Sequence, residues 1–251
     1  MSDKRIVLLK DAPDKDDPYV TSLSQLMAVE CIPVLCFNYT NQEQLQNSLQ
    51  DVSKYNGVIF TSRRGVLAVK KAFKTALPCW ADVTCYTVGE ATRREAEKLG
   101  FSCKGEKSGT GAALARIIVG DKANFDSSKD LLFISGALKR PELSNIILEA
   151  KLGLKDVIAY ETVCDPSTES KINHYVRNHG VPDFLVFFSP SGVDFCLDTW
   201  RKMWKLSSKF SSVVSIGPST TVKLESEGIN DVKTAEFPSP KYIFDIIKKE
   251  L

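Results

Sequence analysis

The sequence predicts an α/β protein built on parallel sheets, and three observations carry that prediction. Short apolar runs rich in β-branched residues recur along the chain, helix-like segments closed by glycine lie between many of them, and most of this pattern occurs twice. The length of 251 residues allows one large domain or two compact ones. The repeat favours two.

The apolar runs have the composition of strands that are buried on both faces, and turn residues follow each run. In chain order the predicted strands are residues 6–9, 32–37, 57–61, 84–88, 131–135, 157–163, 184–188 and 213–216. Two of the intervening segments, 92–99 and 220–227, are predicted helices because Gly100 and Gly228 follow them, and glycine suits the left-handed residue after a helix. Strand and helix therefore alternate.

An internal repeat relates the two halves of the chain. YNGVIFTSRRGV (55–66) matches PDFLVFFSPSGV (182–193) at an offset of 127 residues, which aligns Ser62 with Ser189. CYTVGEATRREAEKLGF matches VVSIGPSTTVKLESEGI at an offset of 128, which aligns Thr92 with Thr220 and Gly89 with Gly217. At an offset of 125, IVLLKD (6–11) matches LLFISG (131–136), and CIPVLCF (31–37) matches DVIAYET (156–162).

Two domain partitions fit this repeat. In one, the domains are sequential, 1–125 and 126–251. In the other, the extended segments at about 32–39 and 157–165 cross between lobes, so that each first module completes the sheet of the other half. We favour the second partition, because a double crossover would close a cleft between the lobes and turn equivalent strand ends toward it.

Composition and charge exclude several classes of protein. The 33 Lys and Arg residues nearly balance 31 Asp and Glu residues, so the net charge of +2 argues against binding nucleic acid through its phosphates. No apolar run is long enough to cross a membrane, and the start of the chain lacks the pattern of a signal or transit peptide, which predicts an intracellular protein. His174 and His179 are predicted to be solvated, and the cysteines to be reduced thiols without zinc spacing: Cys31, Cys36, Cys79, Cys85, Cys103, Cys164 and Cys196.

The predicted strand ends carry the residues that could bind a ligand, because ligands of parallel sheets gather beyond the carboxyl ends of the strands. They are rich in Gly, Ser and Thr, and two of them add Arg63, Arg64, Lys139 and Arg140, a set that suits a multiply anionic ligand. Each Ser or Thr also fits a simple helix cap. The motifs are TSRRG (61–65), VGEATR (88–93), SGALKRPE (135–142), FSPSG (188–192) and IGPSTT (216–221).

Tyr160 breaks the internal symmetry, since the repeat places Leu35 at its counterpart. Its phenol is protonated at neutral pH and could give a proton to a leaving oxygen. The alternative is a strand tyrosine whose ring packs on the predicted linker.

Taken together, DPYV, IPVLCF, YNGVIFTSRRGV, VGEAT, GALKRPEL, YETV, FFSPSGV and IGPSTT resemble the uroporphyrinogen-III synthase family over almost the whole chain. The order and spacing of the full set carry this resemblance. Arg63 and Arg64 stand where the first motif often has Pro-Arg, and IGPSTT has one unusual Ser; both departures are small.

The resemblance implies two flavodoxin-like or Rossmann-like domains joined by a two-stranded linker, with a cleft between them. One domain would comprise residues 1–35 plus 166–251, and the other residues 38–160. The implied enzyme is a lyase of haem and porphyrin biosynthesis that cyclises hydroxymethylbilane to uroporphyrinogen III, with loss of water and inversion of the last pyrrole ring. It would need no metal or organic cofactor, would act in the cytosol as a monomer, and would have no nucleic-acid or membrane partner.

The resemblance also assigns roles to residues. Tyr160 would be the catalytic proton donor. The expected substrate-binding residues are Ser62, Arg63, Thr92, Lys139, Arg140, Ser189, Ser191, Thr220 and Thr221.

Two other classes of function fit parts of the sequence. A two-lobed binding protein would close on a small anion without turnover, but the free cysteines and missing export signal argue against its usual extracytoplasmic form. A regulatory pair of receiver-like modules would need an acidic phosphorylation pocket, and apart from Asp11 the strand ends offer Ser, Thr, Gly and Lys.

Overall fold

A computed structural model describes residues 4–13, 15–73, 75–207 and 209–251 of the chain. The chain divides into two compact units, unit 1 with residues 1–36 and 163–251, and unit 2 with residues 37–162. Each unit contains one sheet whose strands are mainly parallel, with helices between the strands. The predicted α/β class with two parallel sheets is confirmed.

Unit 1 is built on a sheet in the order β11-β10-β9-β1-β2, and its neighbouring strands are parallel. Its strands are β1 (Arg5–Lys10), β2 (Ala28–Pro33), β9 (Phe184–Phe187), β10 (Ser212–Ser215) and β11 (Val232–Thr234). Its helices are α1 (Pro18–Leu23), α7 (Thr168–His179), α8 (Pro190–Ser207), α9 (Pro218–Ser226) and α10 (Pro240–Lys249).

Helices cover both faces of this sheet. Alternate residues of β1 contact α7, α8 and α9 on one face, and α1 and α10 on the other. The four residues Ile6 to Leu9 are fully buried as a result. Each such side chain contributes about 1.5–3 kcal/mol to folding, which explains why the central strand is a continuous apolar run.

Unit 2 is built on a sheet in the order β3-β8-β7-β4-β5-β6. Its strands are β3 (Leu35–Tyr39), β4 (Tyr55–Phe60), β5 (Thr84–Thr87), β6 (Ser102–Lys104), β7 (Asp130–Gly136) and β8 (Leu154–Cys164). Its helices are α2 (Gln42–Gln50), α3 (Arg63–Ala72), α4 (Glu90–Glu97), α5 (Gly111–Gly120) and α6 (Glu142–Glu149). Helices α2, α3 and α4 cover one face, and α5 and α6 the other.

Both sheets have the flavodoxin-like strand order. Counted along the chain, unit 1 reads 2-1-3-4-5 across its sheet. In unit 2 the strands β8-β7-β4-β5-β6 have the same spatial order if β7 and β8 are counted as the first two strands, although they follow β4 to β6 in the sequence. Strand β3 adds a sixth strand at the edge next to β8. The strand order reverses between β1 and β9 in unit 1 and between β7 and β4 in unit 2, which are the positions where such sheets bind ligands.

The boundary between the units falls within β3 and β8, which lie side by side. Hydrogen bonds from Thr40 N to Ala159 O (3.0 Å) and from Asp165 N to Val34 O (3.3 Å) make this pair antiparallel. The predicted single strand 32–37 is wrong, since β2 ends at Pro33 and β3 begins at Leu35. The intervening Val34 donates its N–H to Lys10 O in unit 1 and accepts from Asp165, so the chain changes its neighbouring strand at this residue.

The predicted helices 92–99 and 220–227 correspond to α4 and α9, which begin two residues earlier, directly after Gly89 and Gly217. The glycines that follow them, Gly100 and Gly228, have φ values of +95° and +83°, as expected of left-handed helix ends. In the part of the chain that the structure describes, no helix combines the length and apolarity needed to span a membrane.

Candidate functional site

A cavity of about 510 Å³ opens at the carboxyl edge of the unit 2 sheet, within the size range of small-molecule sites. It lies where β7 and β4 end, at the reversal of strand order, so the topology itself positions it. Its wall combines small, apolar and charged residues: Thr61, Ser62, Val88, Gly109, Thr110, Gly111, Ala112, Phe133, Gly136, Leu138, Lys139, Arg140, Glu142, Leu143 and Tyr160.

Ser62 links the end of β4 to the start of α3. Its backbone is extended and its Oγ accepts the N–H of Arg64 at 3.2 Å, so it caps the helix. The predicted cap is therefore present, and the same hydroxyl also lines the cavity. Arg63 and Arg64 form the first turn of α3, and the Arg64 guanidinium lies 3.9 Å from the centre of the Phe37 ring.

Tyr160 projects from β8 into the cavity wall. A register shift pairs Ser135 with Ile158 but Gly136 with Tyr160, so the tyrosine ring lies beside a residue without a side chain. A Cβ at Gly136 would come within 2.7 Å of the ring and 2.9 Å of the hydroxyl oxygen. The ring also packs edge-on against Phe37 of β3, with 6.3 Å between the ring centres. Tyr160 therefore both packs on the predicted linker and lines the cavity.

The Tyr160 hydroxyl is poised to remain protonated. Burial raises the pKa of the phenol above its usual value of 10.0, and the hydrogen bond with Ser62 and the charge of Arg64 offset only part of that rise. A neutral phenol can donate a proton or a hydrogen bond, and a neighbouring hydroxyl can stabilise the phenolate that results.

The loop before α5 was missed by the sequence analysis. Gly109 has φ +71°, Thr110 caps α5 by accepting the Ala113 N–H at 3.1 Å, and Gly111 begins the helix. The first N–H groups of a helix have no partner within the helix and favour a negative charge. The signal was present as Gly-Thr-Gly before the apolar run AALARIIV, but this segment follows a polar stretch rather than one of the predicted strands.

Lys139 and Arg140 lie on the loop between β7 and α6, and both line the cavity. The Lys139 ammonium pairs with the Asp156 carboxylate, whereas the Arg140 side chain is exposed. Glu142 is the acidic residue of the same wall. Thus the wall carries both signs of charge, with the cations grouped on one loop.

Thr92 does not line the cavity. It lies in the first turn of α4 and is 4% exposed, and its N–H donates to Gly89 O at 3.1 Å. Gly89 has φ +82°, and this left-handed backbone conformation explains the glycine at this turn. Substrate binding by Thr92 stays a prediction.

The remaining predicted residues belong to unit 1. Ser189 repeats the role of Ser62, since its Oγ accepts the Gly192 N–H at 3.0 Å at the start of α8, where Ser191 also lies. Thr221 joins a chain of hydroxyls with Ser215 (2.6 Å) and Thr234 (2.7 Å). Thr220 is 1% exposed and, within the described residues, its Oγ1 has no hydrogen-bond partner. Their contact with a substrate stays a prediction.

Comparison with known proteins gives a family. Residues 22–245 match the model of the uroporphyrinogen-III synthase HemD family. The uroporphyrinogen-III synthase of Schizosaccharomyces pombe is 29% identical over 249 residues, covering 95% of this chain and 94% of that protein. The enzyme of Saccharomyces cerevisiae is 26% identical, covering 97% and 95%.

Solved structures show the same fold. Uroporphyrinogen-III synthetase from Helicobacter pylori superimposes with a TM-score of 0.64 at 17% identity, covering 99% of this chain and all of that one. A mutant uroporphyrinogen III synthase from Thermus thermophilus gives 0.56 at 14% identity, covering 98% of each chain. With a family match over most of its length and relatives that align from end to end, the chain belongs to the uroporphyrinogen-III synthase HemD family.

Proposed function

We propose that the family's reaction, the cyclisation of hydroxymethylbilane to uroporphyrinogen III, takes place at the cavity of unit 2 with Tyr160 as the proton donor. The protein is an enzyme of tetrapyrrole synthesis, classed as a lyase. The observation that carries the proposed site is the Tyr160 phenol itself, which lines the cavity, contacts Ser62 and has a raised pKa.

The first chemical step needs an acid. The terminal hydroxyl of hydroxymethylbilane leaves as water once a proton reaches its oxygen, and an electrophilic azafulvenium cation remains, whose charge balances that of the phenolate. Tyr160 supplies that proton in our proposal, and Ser62 stabilises the phenolate by hydrogen bonding. Positioned acids of this kind accelerate reactions by about 10² to 10⁴.

The substrate carries eight carboxylates, so the cavity must attract negative charge. Three features of the wall do so: the exposed Arg140, and the N-termini of α3 and α5 with their Ser62 and Thr110 caps. Each helix terminus stabilises an anion by about 0.3–1 kcal/mol at an exposed site. Arg63 in the first turn of α3 adds a further positive charge.

Which product isomer forms depends on the conformation in which the substrate is bound, and only a small difference between two reaction barriers is needed. Closure without inversion of the last ring competes, and a preference of 100 to 1 requires only about 2.7 kcal/mol between the two barriers. A few hydrogen bonds that fix the substrate's carboxylates and exclude other conformers suffice.

The decisive experiment is analysis of the product isomers. The protein, supplied with hydroxymethylbilane, should yield the type III isomer, and Tyr160→Phe should lower kcat about 100-fold. Tyr55→Phe is the matched control, because it removes a hydroxyl from β4 of the same unit at a residue outside the cavity wall. Type I product alone from the wild-type protein would exclude the activity, and a fully active Tyr160→Phe variant with normal thermal unfolding would exclude Tyr160 as the donor.

We further propose that the protein works in the cytosol as a monomer without nucleic-acid or membrane partners. All seven cysteines are free thiols, and the net charge is only +2, which supports a reducing compartment and no dependence on phosphate binding. Cell fractionation and sedimentation equilibrium of the purified protein test this. A membrane-bound fraction or a stable dimer would contradict it.

A further inference from the structure

The Lys139 ammonium has two interaction partners within the protein. It pairs with Asp156, and its Nζ also donates to Ser135 Oγ at 3.2 Å. The Ser135 hydroxyl in turn donates to Asp156 Oδ1 at 2.5 Å. Three side chains from β7, the following loop and β8 therefore form one closed network.

The strand register builds this network. Asp156 pairs with Phe133, and Ser135 with Ile158, so Asp156 and Ser135 lie diagonally on the same sheet face. Beyond Ser135 the register shifts, and Gly136 pairs with Tyr160 of β8. Ser135 is 1% exposed. The side chains of Lys139 and Asp156 are 25% and 29% exposed, so the ion pair is partly buried. A partly buried pair of this kind is screened less than a surface pair.

The network fixes the loop between β7 and α6 at its middle. A second bond, from Ala137 N to Tyr160 O at 2.9 Å, fixes the start of the loop to β8. Gly136 lies between Ser135 of the network and Ala137, and its lack of a side chain is what lets the Tyr160 ring lie where it does. Movement of the loop would therefore release the contact that positions the proposed proton donor.

The neighbouring Arg140 differs from Lys139. It is exposed, it lines the same cavity, and within the described ranges no hydrogen bond or ion pair of its side chain is found. Its planar guanidinium suits two-point binding of a carboxylate. Of these two adjacent cations, Lys139 has an ion-pair partner and Arg140 has none among the described residues.

We propose that Asp156, Ser135 and Lys139 are positioning residues that hold the β7–α6 loop against Tyr160, and that Arg140 is the cation of this loop that binds a substrate carboxylate. The proposal rests on the proposed function and deepens it. It also changes the role expected for Lys139, from a substrate ligand to an internal anchor.

Steady-state kinetics separate the two roles. Asp156→Asn leaves the Lys139 charge in place but weakens its anchor, so we expect kcat to fall about ten-fold with KM changed less than about two-fold. Arg140→Gln should raise KM about ten-fold with a smaller effect on kcat. The charge-swapped variant, Lys139→Asp with Asp156→Lys, should recover much of the kcat lost by Asp156→Asn, because it restores the pair in reverse. Lys98→Met is the control, since it removes the 2.9 Å pair with Glu95 on α4, outside the cavity.

Two results would overturn the proposal. If Lys139→Met raises KM strongly while Asp156→Asn has wild-type kcat, Lys139 binds the substrate directly. If Arg140→Gln has wild-type KM, Arg140 does not hold a carboxylate.

A measurement without substrate keeps this proposal separate from the proposed function. Hydrogen exchange at the Ala137 amide reports the bond to Tyr160 O, and it should accelerate in Asp156→Asn but not in Lys98→Met. Unchanged exchange in Asp156→Asn would refute the anchoring role whatever the enzyme makes. Faster exchange in a protein that forms no type III product would refute the proposed function alone.

Discussion

The carboxyl edges of the two sheets differ in side chains although their strand order is the same. In unit 1, Lys10 ends β1 and pairs with Asp17 at 2.5 Å, with its ammonium about 5.5 Å from the centres of the Tyr19 and Phe188 rings. Asp17 is 6% exposed and also caps α1 by accepting the N–H groups of Tyr19 and Val20. This edge is therefore held by a helix cap, an ion pair and two rings.

In unit 2 the corresponding positions leave room for a ligand. The repeat aligns Lys10 with Ser135, Asp11 with Gly136 and Leu35 with Tyr160. Two small residues thus replace longer side chains at the end of β7, and a phenol replaces an apolar side chain on β8, where the cavity opens. A duplicated topology thus supplies two edges with the same strand order, and the side chains at these three positions distinguish them.

The largest effect is expected from giving unit 2 a side chain at Gly136. In Gly136→Ala the new Cβ would lie 2.7 Å from the Tyr160 ring, so the ring must move. A displacement of about 1 Å at a reacting group costs on the order of 100-fold, so we expect kcat to fall about that far. Gly120→Ala, which meets no atom within 4 Å at the end of α5, is the control. A Gly136→Ala enzyme with normal kcat would show that the position of Tyr160 does not matter to the reaction.

A smaller effect, on stability, is expected at the edge of unit 1. Burial acts to raise the pKa of Asp17, but the hydrogen bond from Lys10 and the N–H groups of α1 outweigh it and hold that pKa below its usual 3.8. Asp17→Asn should therefore lower the free energy of unfolding by about 2 kcal/mol at neutral pH. Because a lowered carboxyl pKa stabilises the fold above pH 3.8 and this contribution is lost as pH falls through the folded-state value, the deficit should shrink in acid. Urea unfolding at several pH values measures it, and a deficit that does not change with pH would contradict the assignment to the ionised carboxylate.

The smallest effect is expected from the matched serines, Ser62 and Ser189. Each caps a helix, so Ser62→Ala and Ser189→Ala should both lose about 1 kcal/mol of stability. Only Ser62 touches Tyr160, and its hydrogen bond lowers the pKa of that phenol. Ser62→Ala should therefore shift the alkaline limb of the pH profile of kcat to higher pH, because Tyr160 stays protonated up to a higher pH. Equal pH profiles in the two variants would remove the Ser62 contact from the proposed mechanism.

The repeat made much of the fold predictable. Runs of buried β-branched residues identified β1, β4, β5, β7, β9 and β10 because most residues of these strands are buried, and a similar run identified β8, of which only Val157 and Ala159 are buried. The edge strands β6 and β11 were missed, since each has three residues and neither is fully buried. Short edge strands leave little hydrophobic pattern in a sequence.

The site was predictable at three residues that follow predicted strands and at Tyr160, where the repeat is asymmetric. Ser62, Lys139, Arg140 and Tyr160 were predicted and line the cavity. The pairing of Lys139 with Asp156 was not predictable, because it depends on the register of β7 against β8 and on the shift after Ser135. Periodicity reveals which face a residue occupies but not which residue of the neighbouring strand lies beside it.

The division of the chain at β3 and β8 has a consequence for synthesis on the ribosome. Unit 2 is one uninterrupted segment and is complete once residue 162 has emerged. In unit 1, β1 lies between β2 and β9. The unit 1 sheet therefore cannot be completed until β9 has been synthesised, more than half a chain after β1. Since domains fold as units during translation, unit 2, which carries the cavity, folds first. Strands β1 and β2 are synthesised first but join a complete sheet last.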